Sequence, residues 1–320
     1  MKRRVLLRAS SGPRTGMGHV MRSRSVALEL LSLGARPLLI VDDDATVEAL
    51  ASDPFPSVTA QDEPDWTELE ATGAWLDGFV DWTPELARLA SNGTPSFLVE
   101  NRTAARDHCD HLVYPALHWT PDAWDREHAE CILAGAEWIP LATEVRSMRP
   151  DGERDIDLFV SFGGSDPWRL TERVLDVLGD TGLSIVVSVG PHMAERYEGL
   201  VARTQHVAGI QVLLPGMPLA RWFARSRAAL TAVGTTLYEL AFLGVPALVL
   251  ANYGEDRDAL EWYEEHGPHL PLGVAAELSQ EGLRAAILSG VRRLEARSMD
   301  EVTGLGEGAT RLARRLWPAA

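Results

Sequence analysis

The sequence predicts an α/β protein built from two Rossmann-like, doubly wound halves. Three observations predict it. Short apolar runs alternate with helix-like segments along the whole chain, the pattern of parallel strands joined by crossover helices. Several of these runs end in glycine-rich turns that lead into helical spacing. At 320 residues, the chain is comfortable for two domains, each able to bury its own core.

The first run, Val5-Leu6-Leu7-Arg8, follows a basic start and is too short for a signal peptide, so it reads as the opening strand. Helical spacing resumes at Val26, Ala27, Leu30 and Leu31. Further strands are predicted at 36–41, 75–80, 96–100 and 111–114. A second series is predicted at 156–162, 184–189, 210–214, 228–232 and 247–250. Between the two series, 144–154 lacks apolar periodicity and carries Pro150, Asp151 and Gly152, so it reads as a linker. This sets an N-terminal domain at 1–148 and a C-terminal domain at 155–305. Residues 306–320 hold an amphipathic stretch, 309–317, expected to form a helix packing back on the first domain.

Composition excludes several classes of function. A formal charge of −16 argues against a nucleic-acid or membrane-surface binder, since both need basic fields. The two cysteines, Cys109 and Cys131, are too few for a disulfide framework and lack metal-site spacing, which fits a reducing, cytoplasmic setting. No apolar run approaches the roughly 20 residues of a membrane span. His108, His111, His118 and His128 fall at separations that do not gather a zinc site on one helical face. Asp42-Asp43-Asp44 follows the second strand, where a dinucleotide enzyme keeps an acid for ribose. The first turn is Gly-x-Gly-His and not G-x-G-x-x-G, however, so NAD is not expected and the triplet reads as solvated or capping.

Three loops carry more glycine and hydroxyl than packing requires. The first is Thr15-Gly16-Met17-Gly18-His19-Val20-Met21-Arg22. It brings backbone and an imidazole to the C-terminal edge of a parallel strand, where open α/β sheets bind ligands. The second is Phe162-Gly163-Gly164-Ser165-Asp166-Pro167, before a helix predicted at 170–178. Its backbone N–H groups and the helix start suit an anion. Plain turn chemistry, with Ser165 or Asp166 as N-cap and Pro167 at the first helical position, explains the same residues. The third is Thr231-Ala232-Val233-Gly234-Thr235-Thr236-Leu237-Tyr238-Glu239-Leu240. Thr235 and Thr236 suit a phosphate at a helix N-terminus. Glu239 either closes a capping box with Thr236, three residues before it, or accepts the two hydroxyls of a ribose.

These three loops, with Arg8-Ala9-Ser10 and Leu133-Ala134-Gly135-Ala136-Glu137-Trp138-Ile139-Pro140-Leu141, occur in the same order in one family. The chain resembles the UDP-sugar hydrolases of pseudaminic acid biosynthesis and the related spore-coat polysaccharide proteins. These are similar to glycosyltransferases of the GT-B fold, especially the N-acetylglucosaminyltransferase of peptidoglycan assembly. The resemblance spans residues 4 to 280 and implies two Rossmann-like domains facing an interdomain cleft. It implies a hydrolase of a nucleotide-linked sugar, releasing a UDP-type leaving group without metal or cofactor. A GT-B glycosyltransferase using the same base toward an acceptor hydroxyl is the alternative.

Carried over by position, the resemblance makes His19 the catalytic base. Gly16, Gly18 and Arg22 would meet the substrate from the first domain, and Gly164 and Ser165 from the second. Gly234, Thr235 and Thr236 would hold the diphosphate, Glu239 the ribose, and the backbone near Met217 the nucleobase. Asn252 stands where the family places an Asn-Gln pair. Ser10, Glu100-Asn101-Arg102 and Glu255-Asp256 depart from the family's acidic and amide residues. Because those positions are expected to contact sugar, the resemblance implies a non-nucleotide part of a different kind. The expected partner is therefore a small nucleotide-linked molecule, with no nucleic acid and no stable membrane insertion.

Overall fold

Val5, Leu6 and Leu7 follow one another without a polar break, and a strand apolar on both faces is stable only at the centre of a covered parallel sheet. That is where the computed structural model puts it. The structure describes residues 4–62, 64, 66, 71–148, 152–179, 181–252, 254–295 and 302–318. They fold as two compact units, Met1–Thr143 with Thr303–Ala320, and Glu144–Val302.

In the first unit the elements run β1 (Arg4–Ala9), α1 (Gly18–Ser32), β2 (Arg36–Val41), α2 (Asp44–Ala49), β3 (Ser57–Thr59) and β4 (Ala71–Asp77). They continue with α3 (Thr83–Ser91), β5 (Ser96–Val99), β6 (His111–Tyr114), α4 (Ala123–Glu127) and β7 (Ile132–Ala134). The seven strands pair in the order β3-β2-β1-β4-β5-β6-β7, all parallel. Alternate residues fill opposite faces, as the pleat requires. Leu6, Leu38, Leu76, Leu98 and Leu112 pack on one side, and Leu7, Leu39, Trp75, Phe97 and Val113 on the other. Each fully buried leucine is worth roughly 2 kcal/mol.

A short α5 (Thr143–Arg146) leads into the second unit. There follow β8 (Ile156–Ser161), α6 (Leu170–Leu178), β9 (Ile185–Val187), α7 (Tyr197–Thr204), β10 (Ile210–Val212) and α8 (Ala220–Ala224). The unit closes with β11 (Ser226–Thr231), α9 (Thr235–Phe242), β12 (Ala247–Ala251), α10 (Arg257–His266), β13 (Leu270–Val274) and α11 (Gln280–Glu295). Its six parallel strands run β10-β9-β8-β11-β12-β13. The last helix, α12 (Gly308–Leu316), belongs to the first unit, where Leu312, Ala313 and Leu316 join α1 in the core. Gly73 permits this approach, since a Cβ there would meet the Leu316 carbonyl oxygen at 2.9 Å.

The structure adds β3, β7 and β13 to the strands read from sequence. All three are edge strands, and β3 and β7 are three residues long, too short to show alternation. Pro271 and Gly273 mask β13, and an edge strand tolerates both. The strand predicted at 75–80 ends at Asp77, so Phe79 and Val80 lie on the following loop. Arg149, Pro150 and Asp151 of the expected linker, and Tyr253, lie outside the described residues. Among the described residues no helix is long and apolar enough to cross a membrane.

Candidate active site

Each sheet reverses direction of winding once. In the first unit the reversal falls between β1 and β4, and in the second between β8 and β11. Loops leaving the C-terminal ends of strands at such a reversal diverge and leave room for a ligand. The opening loop and the residues after Asp77 lie at the first reversal; the Gly163–Gly164 turn and the Gly234 turn lie at the second.

His19 is the second residue of α1 and 7% exposed. Arg22 and Ser23, three and four residues later, share its face of the helix, and all three converge on Asp77 at the end of β4. The imidazole Nδ1 lies 2.7 Å from Asp77 Oδ1. Two lone pairs at that distance repel, so Nδ1 carries the hydrogen and Nε2 presents the lone pair. Arg22 donates from Nε to Oδ2 and from Nη2 to Oδ1, each at 2.6 Å, and from Nη1 to Glu100 Oε2 at 2.6 Å. Ser23 Oγ donates to Asp77 Oδ2 at 3.4 Å while accepting from Trp75 Nε1 at 2.9 Å.

Asp77 has no exposed surface. Burial alone would push its carboxyl up, but the Arg22 guanidinium and His19 outweigh burial and hold it below the usual carboxylate range. Asp77 and Glu100 in turn hold Arg22 charged against the cost of its own burial. The His19 ring meets Phe79 edge to face at 4.8 Å between centroids, and Phe79 is itself 69% exposed. A buried, oriented imidazole whose Nε2 makes no hydrogen bond among the described residues is equipped to take a proton.

The loop around this pair is held from behind. Asn101 Nδ2 donates to the carbonyls of Gly78 and Val80 at 2.9 and 2.7 Å, and its Oδ1 accepts from the Thr103 amide and hydroxyl. Ser10 is buried against Gly78, where an added Cβ would come within 2.1 Å of the Ser10 hydroxyl. Asn101 therefore braces the 78–80 loop through its carbonyls, and Ser10 packs against it, at two positions that the resemblance expects to contact sugar. The Arg22 guanidinium, expected to meet the substrate, bonds Asp77 and Glu100. Two members of the acidic triplet are structural. Asp42 accepts from Arg8 and the Ser11 amide, and Asp43 caps α2 through the Thr46 amide at 2.9 Å.

In the second unit the two glycine-rich turns differ. Asp166, fully buried, accepts from the Leu170 and Thr171 amides at 2.8 and 2.9 Å, closing the start of α6 with its own carboxylate. Arg196 clamps it from outside, bonding Asp166 Oδ2 and the carbonyls of Ser165 and Asp166. Helix α6 begins at Leu170, so Pro167 is not its first residue. The carboxylate of the chain takes the amides at the start of α6, while Gly164 and Ser165 stand on the turn before it.

At α9 the helix begins at Thr235 after Gly234, with no side-chain cap. Thr236 is therefore inside the helix, and the capping box with Glu239 does not form. Gly234, extended at φ 160°, has open space where a Cβ would stand, with nothing within 4 Å, and so does Gly18. Neither backbone nor packing demands glycine at these two positions, in contrast to Gly16 at φ +77°. Thr235, Thr236 and Glu239 are half-buried at this edge. Met217 and Asn252 follow β10 and β12 at the same edge, and Asn252 Oδ1 is buried with no hydrogen-bond partner among the described residues. Sequence reasoning missed Asp77 and treated Glu100 only as a departure. The available signal was the buried stripe His19, Arg22, Ser23, whose polar groups require a carboxylate.

No family model matches the chain. It is 21% identical over 280 residues to an uncharacterized protein of Methanocaldococcus jannaschii, covering 78% of this chain and 55% of that protein. It is 25% identical over 162 residues to the spore coat polysaccharide biosynthesis protein SpsG of Bacillus subtilis, covering 48% and 47%. The chain thus spans about half the length of the curated relatives it matches. Among solved structures it is similar to MurG of Acinetobacter baumannii, with TM-score 0.61, 13% identity and 99% of each chain covered. It is also similar to the UDP-GlcNAc 2-epimerase of M. jannaschii in complex with UDP-GlcNAc and UDP, with TM-score 0.62, 15% identity and 99% of each chain covered. The spinosyn rhamnosyltransferase SpnG matches with TM-score 0.64 and 14% identity over 98% of this chain and 96% of that one. With its two parallel sheets of seven and six strands, the chain has the GT-B glycosyltransferase-like fold.

Proposed function

We propose that the protein is a glycosyltransferase-like enzyme acting on a nucleotide-linked sugar, with His19 as general base. The observation that carries this reading is the buried His19–Asp77 pair at the winding reversal of the first sheet. Asp77 fixes the tautomer and stabilises the imidazolium that forms on proton transfer. In transfer, Nε2 takes the proton of an acceptor hydroxyl as its oxygen bonds to the anomeric carbon. The carbon–oxygen bond to the diphosphate breaks, and the electron pair leaves with the nucleoside diphosphate. Within the second unit, the uncapped start of α9, with Thr235 and Thr236, suits a diphosphate, and Glu239 suits a ribose.

Transfer is the preferred reading because the similar solved structures include glycosyltransferases, one of them with bound thymidine diphosphate. Hydrolysis, with water in place of the hydroxyl, is supported by the motif resemblance and uses the same base. The test is nucleotide release from a panel of UDP-, TDP-, GDP- and CMP-linked sugars, with and without candidate acceptors. Release only with an acceptor supports transfer, and release without one supports hydrolysis. His19→Ala and Asp77→Asn should each lower turnover by about 10²–10⁴-fold while nucleotide binding persists. Full turnover in His19→Ala sinks the reading.

A further inference from the structure

Arg22 lies buried between two acids that it serves unequally. Asp77 has no exposed surface, and both its oxygens carry hydrogen bonds. The Glu100 side chain is 24% exposed, and only its Oε2 is taken, by Arg22 Nη1 at 2.6 Å. Among the described residues Oε1 accepts no hydrogen bond. One oxygen is anchored and the other is offered.

The backbone adds an independent observation. Glu100 follows β5 at φ +46°, in the left-handed region that costs a residue with a Cβ about 1–3 kcal/mol. Glycine or asparagine would take that conformation more cheaply, yet a glutamate is held there. Asn101, locked to Gly78, Val80 and Thr103, fixes the residue that follows. The shared guanidinium also keeps Glu100 close to the base, since Arg22 Nη2 lies 3.0 Å from His19 Nδ1.

Charge decides what this oxygen can meet. With a neutral imidazole, Arg22, Asp77 and Glu100 leave one net negative charge, which repels phosphate or carboxylate and attracts a hydroxyl or ammonium hydrogen. Resting on the nucleotide-sugar reading above, we propose that Glu100 is a specificity-determining residue. It accepts a hydrogen bond from a hydroxyl or ammonium group of the sugar and turns away anionic sugars.

The experiment is calorimetric titration of UDP, UDP-glucose and UDP-glucuronate into the wild-type protein and Glu100→Gln, with a thermal melt of both. Glutamine keeps the size of the side chain and removes its charge. UDP affinity should stay within about twofold, while the preference for UDP-glucose over UDP-glucuronate falls about tenfold, a change of 1.4 kcal/mol. An unchanged preference overturns the proposal, as does binding of UDP alone by both proteins. Loss of UDP binding or of the folded state in the variant alone overturns it too, by making Glu100 structural. Failure of the wild-type protein to bind UDP instead removes the nucleotide-sugar reading, and this inference with it.

Discussion

The two turns at the winding reversal of the second sheet look alike in sequence and differ in use. Both follow a central strand, carry glycine and hydroxyl residues, and open a helix of eight or nine residues. After β8 the chain fills its own helix start: the Asp166 carboxylate takes two amides and Arg196 closes over it. After β11 the helix start has no side-chain cap, and Gly234 has open space around it. A glycine-rich strand–turn–helix can therefore have its helix-start amides taken by a carboxylate of the chain or left without a side-chain cap. One carboxylate at the right position decides between the two.

Asp166 carries the largest expected effect. Asp166→Ala strands two helix amides and part of the Arg196 charge in a buried place. We expect a loss of about 3 kcal/mol in the stability of the second unit by denaturant unfolding. A loss below about 1 kcal/mol would show that the carboxylate does not hold the start of α6. At the other turn, Glu239→Ala is expected to weaken UDP binding by about 1.5–3 kcal/mol, the range for hydrogen bonds to a charged group, in a calorimetric titration. Unchanged affinity would remove the ribose role.

Gly234→Ala separates folding from binding at the open turn. Because the backbone there is extended and a Cβ meets nothing, the melting temperature should move by no more than the equivalent of about 0.5 kcal/mol. UDP affinity should still fall, since the added methyl occupies the approach to the helix amides. Equal affinity in variant and wild type would show that no ligand comes close to Gly234.

Acid acts on Asp77 and Asp166 in opposite senses. Asp77 is held below its unfolded value, so its contribution is complete above about pH 4 and is lost as pH falls through its folded value. Burial raises Asp166 above its unfolded value despite the amides of Leu170 and Thr171 and the Arg196 charge. Its ionisation therefore costs stability as pH rises, and acid relieves that cost. Hydrogen exchange corrected for intrinsic rates, between pH 6 and 3, should show α1 and β4 losing protection before the start of α6. The reverse order would contradict both assignments.

Much of this architecture was legible because a central parallel strand must be apolar on both faces, and such runs are visible one residue at a time. The turns were visible for the same local reason, since glycine followed by hydroxyls and helical spacing needs only a few consecutive residues. The edge strands β3, β7 and β13 were not, because half their environment is solvent and their pattern is correspondingly weak. Asp77 was read as the interior of a strand. Its role depends on a helix residue 58 positions away, and no local pattern carries that distance.

Two parallel α/β units, the glycine-rich turns and the place of His19 on one of them are legible in the amino-acid order alone. These follow from local spacing and hydrophobic period. Which acid holds the imidazole, which helix start is taken by its own carboxylate, and that Glu100 Oε1 accepts no hydrogen bond among the described residues emerge only on folding. Those outcomes depend on pairing across β1, β4 and β5 and on the burial that makes each unpaired charge costly, quantities that exist only once the chain has folded.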